Sequence, residues 1–192
     1  LFDAKILTYY GQNPYLHTAL DFPQDKWIRF MHWVHRPYPY GPTFLPLTLI
    51  PSALSMGKFI LDYFFFKLTF IGIYIFGVYY LKKLNKQSAL TFATHPFVIV
   101  EGLVNLHNDM LAVSFVFAGV YYLSQKRKWL SRILLIFSGG IKYLTIPLLF
   151  LRDNKNNRWN YLIFTGQGML FFYLVWSKGF QQWYFFLFFA LL

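Results

Sequence analysis

Cysteine is missing from all 192 residues, so neither a disulfide framework nor a thiolate-bound metal is available to this chain. Charge is scarce as well. Charged side chains make up 13%, and Asp and Glu number 7 against 18 Lys and Arg. With 57% hydrophobic and 23% aromatic residues, that supply of polar groups is too small to cover a soluble fold, and lipid is the solvent that removes the difficulty. The excess of +11 does not point to nucleic acid, because the cations punctuate apolar runs instead of forming a basic face on a polar body. Glycine-rich phosphate loops, zinc-ligand spacings and serine elbows are also absent. What remains is the pattern of an all-α, polytopic transmembrane bundle.

The chain opens at Leu1 without a methionine and stops at Ala190-Leu191-Leu192 inside an apolar run, which reads as a fragment truncated at both ends. Residues 1–43 are mixed, aromatic and rich in proline, as in His32-Trp33-Val34-His35-Arg36-Pro37-Tyr38-Pro39-Tyr40-Gly41-Pro42. Such a stretch breaks regular helices and suits a membrane interface, so it is expected to be a non-cytoplasmic loop. Residues 44–192 are expected to form the transmembrane helical domain, with apolar segments at 44–55, 59–81, 88–104, 110–123, 133–151, 159–176 and 183 onward. A crossing needs roughly 20 apolar residues, which makes 59–81 a span and leaves 44–55 too short. Asp62 and Lys67 inside 59–81 lie about 140° apart round a helix, so each is expected to face another helix or a wet interface.

Basic connections set the orientation. Lys82, Lys83 and Lys86, then Lys126, Arg127, Lys128 and Arg132, then Arg152, Lys155 and Arg158 are all expected on the cytoplasmic side. Two of these groups flank 133–151, which cannot then cross once. A re-entrant pair of half-helices broken near Ser138-Gly139-Gly140 satisfies the charges; one ordinary span with a weakly enforced charge rule is the alternative. The re-entrant reading puts the first loop, His107-Asn108-Asp109 and Gln181-Gln182-Trp183-Tyr184 together on the non-cytoplasmic face.

Several polar groups stand out. Glu101, Asn105 and Asn108 are spaced to share one helix face, and Asp109 is placed to begin and cap the next helix. Lys142, amid apolar neighbours, needs an anion; a phosphate or a structural pairing with Asp109 or Glu101 would each serve. His35, Arg36, Tyr38 and Tyr40 could meet a phosphate and a sugar face, or act as plain interfacial anchors.

These residues resemble the GT-C superfamily of integral-membrane glycosyltransferases, within it the polyprenol-phosphate-mannose-dependent mannosyltransferases. Tyr10-Gly11-Gln12-Asn13-Pro14-Tyr15 resembles a G-x-N-P-Y loop motif, and Tyr38-Pro39-Tyr40-Gly41-Pro42 a Y-x-P turn. Pro96, Glu101 and His107-Asn108-Asp109 resemble N-P…E…N-G-H-N-D, Lys142-Tyr143 with Pro147 a K…P segment, and Trp183-Tyr184 a P-W-Y. His95, Leu106 and Gln182 depart from the pattern, standing where it has Asn, Gly and Pro.

The resemblance implies transfer of a hexosyl group, mannosyl first, from a polyprenyl-phosphate sugar to a glycan, lipid or protein acceptor hydroxyl, with inversion. It places the enzyme in the cell membrane with its active site outward. The catalytic Asp of the pattern falls early, upstream of Leu1 or at Asp3, with Asp109 and Glu101 as further catalytic candidates. Substrate binding would involve His35, Arg36, Tyr40, Asn105, His107, Asn108, Lys142, Trp183 and Tyr184. The resemblance fixes no cofactor, and Asp109 and His107 could hold a divalent cation. A transporter of a polar or anionic solute and a non-catalytic membrane scaffold are the other classes; the former tends to show repeated halves, which this chain lacks.

Overall fold

Proline and glycine punctuate the chain into helices that are mostly short. A computed structural model describes residues 1–153 and 158–189, of Lys178 the backbone only; the described residues form helices and turns and no strand. Lys155 and Ala190-Leu191-Leu192 lie outside the described residues. The chain divides into two compact units, Leu1–Thr69 and Phe70–Leu192.

In the first unit, α1 (Phe2–Thr8) buries Phe2 and Ile6 against Ala19 and Trp27, with Tyr10, Phe22 and Phe59 packed at the edge. Gly11, at φ +65°, turns the chain after this helix, a conformation that costs glycine little. Lys5 is buried with the helix and pairs with Asp25, which also accepts from Tyr10 Oη (2.7 Å) and from the Trp27 N–H (2.8 Å). Burial alone would raise the Asp25 carboxyl, but these donors outweigh it and hold the group below the usual carboxylate range. Burial and Asp25 together push the Tyr10 phenol up to about 12. The Tyr38 N–H donates to the Pro14 carbonyl (2.9 Å) and the Tyr15 and Tyr38 rings meet edge to face at 5.2 Å. The two tyrosine-proline stretches of the loop are therefore one packed structure. α2 (Phe44–Leu54) is 11 residues, too short to span as expected, and joins α1 through Thr8 Oγ1 and Ser52 Oγ at 2.8 Å.

Helix α3 (Phe59–Leu84) has 26 residues, about 39 Å at 1.5 Å per residue, and among the described residues is the one helix that alone is long and apolar enough to cross a membrane. Asp62 in its first turn is fully buried, with neither oxygen hydrogen-bonded among the described residues.

The second unit is organised on α5 (Asn108–Ser124), which buries residues on every side. Before it come α4 (Lys86–Thr94), capped by Asn85 through the Ser88 N–H, and a π-helical turn, Val98–Val104. The expected segment 88–104 is thus broken at His95-Pro96, where proline excludes continuation of α4. After α5 come α6 (Lys128–Ile141), a 3-10 stretch Tyr143–Phe150, α7 (Arg158–Lys178), a second 3-10 turn Gln182–Phe185, and α8 (Phe186–Phe189).

Segment 133–151 is two short helical pieces that fold back on one another. Ser138 Oγ meets Thr145 Oγ1 at 2.8 Å, and the Arg132 guanidinium donates to the Leu149 carbonyl and to the Leu151 carbonyl (2.7 Å). The break is not at the glycines. α6 runs unbroken through Gly139 and Gly140, and the chain turns at Lys142, in extended conformation. Gly139 instead makes room for the returning piece, since a Cβ there would lie 3.0 Å from Ile146. At the same end as Arg132, Tyr80 Oη meets Tyr122 Oη at 2.9 Å, so the ends of α3 and α5 that carry Lys82, Lys83 and Lys126 lie together.

Close approach of α3 to α5 depends on Gly77, where a Cβ would fall 2.4 Å from Ser114 Oγ and 3.0 Å from its Cα. Gly77→Ala therefore has to displace backbone and is expected to cost about 1–3 kcal/mol. Gly72→Ala, on the same helix with nothing within 4 Å, is expected to be neutral or stabilising. Thermal midpoints in detergent check the pair, and equal midpoints would remove the close contact.

Candidate active site

The π-helical turn is wider than an α-turn, and its closing bonds show it. The Asn105 N–H reaches the Val100 carbonyl (2.8 Å) and the His107 N–H the Glu101 carbonyl (3.0 Å). Between them Leu106 sits at φ +58°, in the left-handed region where glycine is at ease. This turn bends the chain by 108° into α5. Glu101 and Asn105 are neighbours as expected, with Asn105 Nδ2 donating to Glu101 Oε2 at 3.1 Å. Asn108 does not share their face, because the turn ends before it; it opens α5 and its amide lies 3.5 Å from the Ile141 carbonyl.

Asp109 lies in the first turn of α5 and is not its N-cap residue. His107 occupies the N-cap without a side-chain bond, and Asp109 turns inward to accept from Lys142 Nζ at 2.9 Å. The Asp109 side chain is 3% exposed and that of Lys142 24%, so the carboxylate is the buried tether and the ammonium the accessible end. Lys142 Nζ also stands 5.9 Å from the centre of the Tyr184 ring. Beside this pair, His107 Nε2 lies 3.1 Å from Glu101 Oε2, and the His107 ring stacks on Trp183 at 4.3 Å. Glu101, Asn105, His107, Asn108, Asp109, Lys142, Trp183 and Tyr184 are thus brought to one corner, at the opposite ends of α5 and α6 from the turn that carries Lys126 and Arg127. A small cleft, about 190 Å³ of empty space with the open solvent at its mouth included, lies there between Asp109, Lys142, Thr145 and Phe186.

Sequence reasoning missed the residues that hold this corner in place. Thr145 Oγ1 donates to the Lys142 carbonyl (3.0 Å), Ser138 Oγ to the Ala112 carbonyl (2.7 Å), and Gln167 Nε2, from α7, to the Leu144 carbonyl (2.7 Å). An isolated glutamine between two glycines in an apolar run was the available signal for Gln167.

The remaining candidates lie in the first unit. Asp3 is in the first turn of α1, and burial raises its carboxyl above the usual range. His35 and Arg36 are exposed, with the Arg36 guanidinium 4.0 Å over the Trp33 ring, and Tyr40 packs edge to face on Tyr38 and Phe44. Among the described residues no three His, Asp or Glu side chains gather as a metal site would require, and Asp109 is already engaged by Lys142.

The described residues are helical, with one helix that alone is long and apolar enough to cross a membrane and a polar corner of carboxylates, a lysine and stacked aromatics, a make-up compatible with an enzyme associated with a membrane. The model of the alpha-(1->6)-mannopyranosyltransferase family, N-terminal domain, matches residues 5–152, and the chain belongs to that family; it is a glycosyltransferase. No curated protein and no solved structure matches it.

Leu106→Gly is expected to relieve the left-handed strain and stabilise the fold by about 1 kcal/mol, while Leu106→Val, β-branched at positive φ, destabilises it. Thermal midpoints in detergent distinguish these. A lower midpoint for the glycine variant would contradict the geometry at this bend.

Proposed function

We propose that this glycosyltransferase is a multi-pass GT-C enzyme of the cell membrane. It moves a mannosyl group from a polyprenyl-phosphate sugar to an acceptor hydroxyl on the outward face. The observation that carries this reading is the convergence of Glu101, His107, Lys142, Trp183 and Tyr184 on the corner where α5 begins, with the basic groups Lys82–Lys83 and Lys126–Arg132 gathered at the other end. Basic ends favour the cytoplasmic side, which leaves the polar corner facing outward.

In the reaction the acceptor oxygen attacks the anomeric carbon, the bond from that carbon to the phosphate oxygen breaks, and the lipid phosphate leaves with the electron pair. A carboxylate takes the acceptor proton. Lys142, tethered by Asp109 yet partly open, has N–H groups to spare for the departing phosphate. Trp183, backed by His107, offers an aromatic face to the pyranose, while Glu101 and Asn105 can hydrogen-bond its hydroxyls or those of the acceptor. The cleft is a shallow opening with little enclosed space, so the donor lies across its mouth with its isoprenoid in lipid. Burial and its ion pair suit Asp109 to holding Lys142. Glu101, more exposed, is the carboxylate of this corner assigned to base catalysis, and a Glu101→Gln variant is expected to lose most transfer.

Membranes carrying the protein are expected to transfer radiolabelled mannose from polyprenyl phosphate to an acceptor; transfer from a sugar nucleotide alone would remove the lipid donor. Lys142→Met leaves Asp109 buried and unpaired, which should cost about 3–5 kcal/mol. Lys142→Met/Asp109→Asn removes both charges, and is expected to recover most of the thermal midpoint while staying about 100-fold slower in transfer. Normal turnover in that double variant would make Lys142 structural. For sidedness, cysteines placed at Lys83 and Lys128 of this cysteine-free chain should label from the cytoplasmic side of sealed vesicles and one at Gln182 from the other. Labelling of all three from one side would refute the orientation.

A further inference from the structure

The stretch from Lys26 to Arg36 carries Lys26, Arg29, His32, His35 and Arg36 and no acid. All five basic side chains are exposed, and so are two large rings among them, Phe30 at 57% and Trp33 at 53%. The neighbouring carboxylate, Asp25, is buried and neutralised by Lys5, so it does not offset the positive surface. The cations are not scattered at random over the rings. The Arg29 guanidinium lies 4.7 Å from the Phe30 ring centre and that of Arg36 4.0 Å from Trp33, while His32 and His35 meet the Trp33 ring edge to face at 4.6 and 5.9 Å.

The position of this patch says what covers it. The Phe30 ring stacks on Phe59 at 4.7 Å, and Trp27 meets the same ring at 5.3 Å. Phe59 is the first residue of α3. A helix of about 39 Å is longer than the ~30 Å hydrocarbon core, so its ends lie at headgroup depth. The first turns of α3 expose Ile60, Tyr63 and Phe64, the surface that acyl chains would cover. The patch is therefore seated where lipid phosphates are, with rings suited to the ester and headgroup zone and cations within reach of phosphodiesters.

We propose that the Lys26–Arg36 patch is a docking surface for anionic phospholipid headgroups, holding the first unit down on the bilayer at the mouth of α3. An acidic bilayer satisfies both halves of the patch at once: its phosphates meet the two arginines and Lys26, and Trp33 and Phe30 are buried among the headgroups. The inference rests on α3 crossing the bilayer and not on the sugar donor.

The test uses the absence of native cysteine. The full chain bearing a single nitroxide-labelled cysteine at His32 is placed in nanodiscs of phosphatidylcholine alone or with phosphatidylglycerol, and collisional access of a water-soluble relaxation agent is measured. Access is expected to fall about threefold when the anionic lipid is present. The fall should vanish in the Lys26→Gln/Arg29→Gln/Arg36→Gln variant, and shrink at high salt. Equal access in both lipids overturns the proposal. So does protection of the label in phosphatidylcholine by millimolar inorganic phosphate, which would make the patch a site for free anions. A second label at Ile71, midway along α3, reports the span separately: if it is shielded from water while His32 shows no lipid dependence, α3 crosses and the docking surface alone is refuted.

Discussion

An ammonium and a carboxylate 2.9 Å apart decide how the second unit is joined. The Asp109 side chain, almost wholly buried, cannot remain charged in that setting without a partner, and Lys142 is the partner that the fold provides. Meeting it requires α6 to end at Ile141, the chain to extend through Lys142, and the following 3-10 piece to return along α6. The bend before α5 and the hairpin after it are consequently held to one corner. Because the lysine is the less buried member, the same pair that stabilises the joint leaves a fixed cation at its surface.

Around this joint the helices come close at small residues. Small residues allow backbones to approach, as at Gly77 against Ser114 and Gly119 against Leu135. Side chains then hydrogen-bond to backbone carbonyls that an irregular chain leaves open. Arg132 reaches the Leu149 and Leu151 carbonyls, Gln167 the Leu144 carbonyl, and Asn160 both the N–H and the carbonyl of Arg152 at 2.9 Å. Such bonds make the 3-10 stretch tolerable in the packed interior, since its carbonyls would otherwise be unsatisfied.

The first unit uses the same device on a smaller scale. A buried Lys5–Asp25 pair, with Tyr10 and the Trp27 N–H completing the acceptor capacity of the carboxylate, fastens the loop to α1. That leaves the cations after Asp25 without an internal acid, which is why they appear on the surface as a positive patch. Phe59 receives the rings of Trp27 and Phe30 and so links this loop to the start of the long helix.

Composition and the run of apolar segments were enough to anticipate helices throughout the described residues and α3 as a helix long and apolar enough to cross a membrane, because hydrophobicity over some 20 residues is a local property. The early motifs and the candidates Glu101, Asp109, Lys142 and Trp183 were legible for a similar reason: isolated polar or aromatic groups in apolar surroundings stand out one at a time. Pairing was not. The periodicity of an α-helix placed Asn108 with Glu101, but a π-turn and a left-handed Leu106 intervened, and a one-residue change in helical width is invisible to spacing rules. The glycines 139–140 looked like a break in the chain, whereas the tertiary structure uses Gly139 for the approach of Ile146 and puts the break at Lys142. Residue type determined which groups needed partners; only the folded chain decided which partners they met, since ion pairs and close contacts join positions far apart in sequence, such as 109 and 142, whose proximity no local pattern encodes.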